Sequence, residues 1–430
     1  MTRRMLLAAL GLAAPALLHA QLPRTTARAL GMGNSLTAAA RGYEALAWNP
    51  ALLAMPGRPS FSLNIAQVSA LTWSNSFDFA DVLEYSGDTL TTADKDTILA
   101  KIPVGTPMTL GATVDAGAIG LTIGNFGVMV GGVGDVESRV SRDFVELLLF
   151  GNITRRNPGD PPYVADSTDA RGWAGGTLAA GFGVPLQVGG GTLGLGLTAK
   201  VTRGLAVAGM EDFGSQLQDV PFAGEVRVHG LYTDPDSSLS NGWGFGADLG
   251  VAFVATSGLQ LGLAMENAFS TMSWEEENLL YQRREYVLVQ AGEVYIDSVI
   301  SEIDGLPYDP SDPAQVALYD SLMGGRTFPM RLRAGVQLQA GKFILAGDAM
   351  VRVASGLVAG ESQRVSAGAE LPLGVIAFRG GVSSNFEGGF AMGGGLGLKA
   401  GPVRLDGAAS WTPGGDRQGL LVGFGISVMN

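Results

Sequence analysis

Period-two alternation that recurs along the chain is what most constrains its fold. Residues 420–430 read L-L-V-G-F-G-I-S-V-M-N: Leu420, Val422, Phe424, Ile426 and Val428 alternate with residues that are mostly small or polar. Successive side chains of a strand point to opposite faces, so this segment has one large apolar face and one small face. A soluble sandwich buries the apolar face against a second sheet, whereas a membrane barrel turns it to lipid and keeps the other for the lumen. One strand does not decide between them, but the recurrence does. Equivalent segments fall at 59–69, 108–123, 126–138, 171–188, 192–205, 242–256, 259–272, 328–340, 342–354, 363–373, 375–385, 389–400, 402–412 and 418–430, fourteen in all.

The connections carry the same message. Those at 124–125, 189–191, 257–258, 340–341, 372–375 and 400–402 are short, and the connections between them include four long inserts, 70–107, 139–170, 206–241 and 273–327. Bacterial outer-membrane barrels have an even number of strands, tight periplasmic turns and longer outside loops. With the N-terminus on the periplasmic side, every long insert lands outside, and a miscounted strand would break that parity. The expected fold is therefore an all-β membrane protein, a fourteen-stranded antiparallel outer-membrane barrel.

Composition agrees. Only 16% of the 430 residues are charged, 64 are glycine, and mean hydropathy is +0.23. Past residue 20, no apolar run approaches the roughly 18–20 residues of a membrane-spanning helix. A barrel hides its hydrophobicity by interleaving lipid-facing and lumen-facing residues. A net charge of −12 argues against nucleic acid as a partner. Residues 1–20 have a charged start (Arg3, Arg4), an apolar stretch from Met5 to Leu18 and a small-residue site at Ala20, the pattern of a secretory signal peptide.

Residues 21–58 do not alternate. Asn34 or Ser35 is placed to cap a short helix running to about Arg41, stopped by Gly42, and Asn49-Pro50 marks a turn. Leu46, Trp48, Leu52, Leu53 and Met55 are too apolar for a free tail. The runs G-M-G-N-S-L-T-A-A-A-R-G and A-W-N-P-A-L-L-A, ahead of the first strand, resemble the N-terminal hatch of FadL-type outer-membrane transporters for hydrophobic compounds and of related PorV-like barrels. The family's N-P-A motif corresponds to Asn49, Pro50 and Ala51. The resemblance implies a fourteen-stranded barrel over 59–430 with residues 21–58 folded into its lumen as a hatch, Trp48 to Ala51 acting in gating. It also implies a channel for uptake or export of hydrophobic or amphipathic small molecules such as fatty acids. The alternative it leaves open is a PorV-like barrel that docks a secreted or surface protein.

Charged residues fall on the polar phase of their strands: Glu266, Arg331, Arg333, Asp348, Arg352, Arg379 and Arg404, together with Lys200, Asp248, Arg364, Glu370 and Asp406. A charge facing lipid at the midplane costs about 2–4 kcal/mol, so a barrel sends these residues to the lumen. There they either pair with one another and hold the hatch, or arginines such as Arg331 and Arg333 meet the carboxylate of an amphipathic ligand. Arg203 breaks the phase near a strand end, where snorkelling is available.

No residue pattern points to catalysis, cofactor or metal. The triplets 189–191 and 393–395 lie at strand junctions or within strands rather than before a helix. Only His229 follows the leader, the chain has no cysteine, and no Cys/His cluster has metal-ligand spacing.

Overall fold

The computed structural model describes residues 22–430 apart from 23, 88, 152–159, 166, 219–222, 292–293, 324–326, 355–360 and 387–388. The expected signal peptide over 1–20 lies outside the described residues. Fourteen antiparallel strands form one closed ring: β1 (Phe61–Ser74), β2 (Met108–Ile123), β3 (Phe126–Val140), β4 (Asp169–Val188), β5 (Gly191–Asp212), β6 (Gly242–Ala255) and β7 (Gln260–Trp274), followed by β8 (Arg331–Ala340), β9 (Phe343–Arg352), β10 (Gln363–Leu373), β11 (Ile376–Ser384), β12 (Phe390–Ala400), β13 (Val403–Thr412) and β14 (Gln418–Met429). Each strand pairs with its neighbours, and β14 returns to β1 in a register from Ser62 opposite Met429 to Ser74 opposite Gln418. All fourteen strands expected from the alternation are present. The first is longer than its pattern suggested, since its upper end, including Trp73, faces inward under the loops.

Each of the six short turns carries a glycine at positive φ: Gly124, Gly190, Gly258, Gly341, Gly374 and Gly401. Two-residue hairpins need left-handed backbone, which glycine adopts without steric cost. All six turns lie at one end of the ring, and every long connection is at the other. By the outer-membrane rule the short-turn end is periplasmic.

The outside of the ring is apolar. Leu178, Phe182, Leu249, Val251, Leu263, Leu332, Val336 and Phe424 are exposed on the outward phase, while Thr198, Lys200, Asp248 and Arg333 are buried on the inward one. Arg203 does face outward, and its guanidinium stacks 4.1 Å over the ring of Trp243. A cation over an indole face near the membrane boundary is compensated electrostatically. Among the described residues no helix is long and apolar enough to cross a membrane, so strands do the crossing.

The long connections form a superstructure at the other end. β4 and β5, of 20 and 22 residues, run past the barrel, and β5 pairs there with strand Ala223–Thr233. That strand pairs in turn with Leu279–Ala291, which forms a hairpin with Val294–Pro307, the alternating part of the longest insert. Helix Thr92–Ala100 is capped by Thr91, which forms a reciprocal capping box with Asp94. Its Leu99 packs with Ile102 and with Val145 of helix Arg142–Phe150.

Depth in the bilayer sets the expected effect of a charge on the outer face. Leu249 lies mid-strand and Leu186 three residues from a short turn, both exposed outward. Leu249→Arg is expected to cost about 2–4 kcal/mol and Leu186→Arg no more than about 1 kcal/mol, read from denaturant unfolding in lipid vesicles. Equal costs would contradict this placement of the bilayer.

Candidate functional site

The ring is not empty. Residues 24–58 lie against its inner faces, and nearly every one from Thr26 to Met55 is buried. Thr26 caps helix Ala27–Gly31 by accepting from the Ala29 amide at 3.0 Å. Gly33 and Asn34 then turn the chain through left-handed conformations, and 34–41 form turns rather than the helix expected there. Asn34 and Ser35 cap nothing: Asn34 is itself in the turn, and the Ser35 hydroxyl is hydrogen-bonded to Ser366 of β10 at 2.9 Å. Helix Glu44–Trp48 ends at extended Asn49, and Pro50 opens the 3₁₀ turn Pro50–Ala54.

Asn49 is fully buried and bonded at both ends. Its Oδ1 accepts from the Ala51 amide at 3.1 Å, and its Nδ2 donates to the carbonyls of Thr37 at 3.0 Å and Val251 of β6 at 3.2 Å. Asn49, Pro50 and Ala51 thus form one bend tied both to the segment and to the wall. Trp48 lies beside it, its Nε1 donating to the Arg24 carbonyl at 3.1 Å and its ring 4.9 Å below the Arg333 guanidinium.

Glycine on the inner faces lets this irregular backbone come so close. A Cβ at Gly250 would lie 2.1 Å from Asn49 Oδ1, one at Gly196 2.1 Å from the Ala51 nitrogen, and one at Gly368 2.2 Å from the Met32 carbonyl oxygen. The G-x-G patterns of the strands are the footprint of the segment that lies on them.

Charged side chains gather in two groups. Toward the long loops, Glu266 pairs with Arg24 and accepts from Arg331 at 3.1 Å and Arg333 at 3.4 Å. A bulge in β7 between Met265 and Phe269, with Asn267 at positive φ, turns both Glu266 and Asn267 inward. Lys200 pairs with Asp248 at 2.5 Å and also donates to Asn267. Toward the short turns, Glu370 accepts from Arg28 at 2.9 Å and Arg379 at 3.2 Å, Arg379 pairs with Asp406 at 2.5 Å, and Arg28 also reaches Glu44 at 3.0 Å.

Of the residues singled out from the sequence, Glu266, Arg331 and Arg333 come together, and Arg379 and Arg404 lie at the second group. Asp348 has no ion pair among the described residues and accepts from the Thr37 amide at 2.8 Å. Arg352, opposite Arg331 in the β8–β9 register, makes no ion pair among the described residues. Sequence reasoning passed over Arg24, Arg28, Arg41 and Glu44. The available signal was their presence in an otherwise small and apolar stretch, where each buried charge needs a partner.

Above this segment, on the long-loop side, Trp173, Trp274, Tyr281, Tyr308 and Phe328 form a buried aromatic cluster beneath Leu318 and Leu322 of helix Pro313–Leu322. That helix is capped by Asp312, whose carboxylate accepts from the Ala314 amide, and the Trp173 and Phe328 rings are 5.4 Å apart.

Fold and site together define a membrane-spanning β-barrel of the outer-membrane type with its own N-terminal segment packed in the lumen. Residues 50–291 match the model of a family described as "Family of unknown function (DUF5723)", and the chain belongs to that family. No curated protein matches the sequence. Solved structures with a similar fold include the deltaS2 mutant of the monoaromatic hydrocarbon channel TodX (13% identity, 95% of this chain and 99% of that one, TM-score 0.48). Others are the monoaromatic hydrocarbon channel CymD (12%, 97% and 98%, 0.47) and a Pseudomonas aeruginosa FadL homologue (13%, 95% and 99%, 0.47).

Two substitutions test how the segment is held. Glu370→Ala leaves Arg28 and Arg379 without their shared carboxylate, and breaking such a buried pair costs about 3–5 kcal/mol. Gly250→Val drives a side chain into Asn49. Each variant should raise amide exchange over 27–55 while the barrel keeps its heat-modifiable migration on gels. Unchanged exchange in both would mean the segment does not depend on these contacts.

Proposed function

We propose that the protein is an outer-membrane channel for hydrophobic or amphipathic small molecules, with the N-terminal segment as its gate. In this reading residues 1–20 are a signal peptide, 21–58 a hatch and 59–430 the barrel. Trp48, Asn49, Pro50 and Ala51 form the bend that must move for passage. The observation that carries the reading is the stacking order along the lumen: an aromatic cluster toward the outside, then a filled lumen, then the short turns. A filled lumen is unsuited to free diffusion of water-soluble solutes. The aromatic cluster offers an apolar cargo a surface that water does not contest, and Arg331 and Arg333 at the hatch's outer side offer a polar partner to an amphipathic one.

The hatch is held by contacts that favour exchange over permanence. Its large side chains each gain roughly 1.5–3 kcal/mol from burial, but buried ion pairs return little net stability once their desolvation is counted. Deleting residues 31–54 should leave a folded barrel with higher conductance in planar bilayers and faster liposome swelling with small solutes. A truncated barrel as tight as the full one would remove the segment from the gating role. A protein that co-purifies in stoichiometric amount, with no small hydrophobic molecule bound, would favour the docking alternative instead.

A further inference from the structure

Two buried donors beneath helix Pro313–Leu322 have no acceptor. Trp173 of β4 and Trp274 of β7 are 5% and 6% exposed, and neither Nε1 makes a hydrogen bond among the described residues. An indole N–H can only donate, and a buried donor left unpaired bears its full desolvation penalty. Trp274 also shows which way its donor is turned. Its benzo edge packs on the wall, 2.7 Å from where a Cβ would stand on Gly204 of β5 and 3.1 Å from one on Gly242 of β6. The pyrrole edge, which carries Nε1, is on the opposite side of the ring and therefore points away from the wall.

The floor that these two rings form with Tyr281, Tyr308 and Phe328 is covered by Leu318, Leu322 and Met323. Gln315, Leu318 and Leu322, at spacings of three and four, are the buried face of the helix. With the helix seated there is no room for cargo: the cavity beside Trp173 measures about 10 Å³, space for roughly one water. The cover meets the rings with aliphatic carbon and brings an acceptor to neither indole. We propose that the helix is an internal stand-in for cargo. Leu318, Leu322 and Met323 hold the place of an apolar chain, and the cargo that displaces them carries a neutral acceptor oxygen (a ketone, ester or ether) for Trp173 and Trp274. The proposal rests on the channel reading and adds the cargo's polar chemistry and the element it competes with.

Neutrality follows from the surroundings. The cluster is made of apolar and aromatic side chains. Beside Trp173, Arg171 and Arg417 are both held by Glu137, at 3.4 and 3.8 Å, and Asp135 adds a second carboxylate to the cavity lining. A carboxylate would lose its water there and meet no uncommitted cation among the described residues. A plain alkane would leave both donors as they are. Only a neutral acceptor satisfies them without bringing a charge.

Neither Nε1 holds a partner, so W173F/W274F orphans no group, keeps both rings apolar and should fold, as heat-modifiable migration checks. The full-length protein and this variant, in neutral detergent, are titrated calorimetrically with 2-octanone, octane and octanoate, each affinity referred to the ligand's own partition into empty micelles. The parent should prefer 2-octanone to octane by at least about tenfold, the scale of one to two buried hydrogen bonds. In the variant the two should bind alike. Octane bound as tightly as the ketone by the parent, a ketone preference that survives in the variant, or octanoate preferred to both overturns the neutral-acceptor site and leaves the channel reading standing. Binding of none of the three overturns both. Two measurements on the unaltered protein need no variant. The carbonyl stretch of bound ¹³C-labelled 2-octanone should fall below its value in hexane, and an unshifted band refutes the hydrogen bonds. Amide exchange over 313–323 should rise when 2-octanone binds, and exchange that stays level or falls refutes the stand-in.

Discussion

At membrane depth no water is available to the backbone, so every amide and carbonyl must find a partner inside the protein. For the wall the ring of strands answers this, and it closes only because β14 pairs with β1 over their length. The N-terminal segment faces the same demand without a ladder of its own. Its free backbone groups are met by wall side chains: Asp348 takes the Thr37 amide, Ser62 the Tyr43 amide, Thr198 donates to the Leu46 carbonyl, and Gln260 donates to that of Ala38. Irregular backbone is tolerated there because the lumen side of the wall is polar at the points where the segment lacks partners.

Those partners do more to specify than to stabilise. A buried ion pair is close to neutral overall, yet severely destabilising when half of it is removed. Arg28 bridges Glu44 of its own segment and Glu370 of β10, so a shifted or rotated segment would strand three charges together. The glycine-to-backbone contacts act in the same direction through sterics, since Gly250 and Gly368 admit the segment in one position only. Close packing and ion pairing fix one seat, while the net energy of that seat stays modest.

The wall was legible because its structure follows local rules. Period two and turn chemistry are both written in consecutive residues, and a lipid-facing strand has no third element to override them. The segment within the lumen was not, because its conformation is dictated by the wall. Asn34 and Ser35 look like caps in isolation, but Asn34 serves a turn and Ser35 bonds to a strand residue more than three hundred positions away. The β7 bulge was hidden too: alternation put Glu266 inside, yet nothing local required three residues opposite Asp248, with Asn267 turned inward beside Glu266. The ion partners of Arg24 and Arg28 likewise needed the closed ring before they became neighbours.

The ring is also uneven in height, and that asymmetry places the aromatic cluster. A tilted strand needs about 9–11 residues to cross a bilayer. β8 to β13 have 9 to 11 residues each, and so do little more than cross. β4 and β5 have roughly ten residues to spare, about 33 Å of strand at 3.3 Å per residue. Their upper ends supply Trp173 and Val207 to the cluster and carry the sheet that brings in Leu231, Leu279 and Tyr281. The cluster is therefore built out from the tall side of the ring. Helix Pro313–Leu322, on the connection that returns the chain to the low side at β8, covers it. That helix carries no strand pairing of the wall, so the cover over the cluster is held by side-chain packing and not by the ladder that closes the ring.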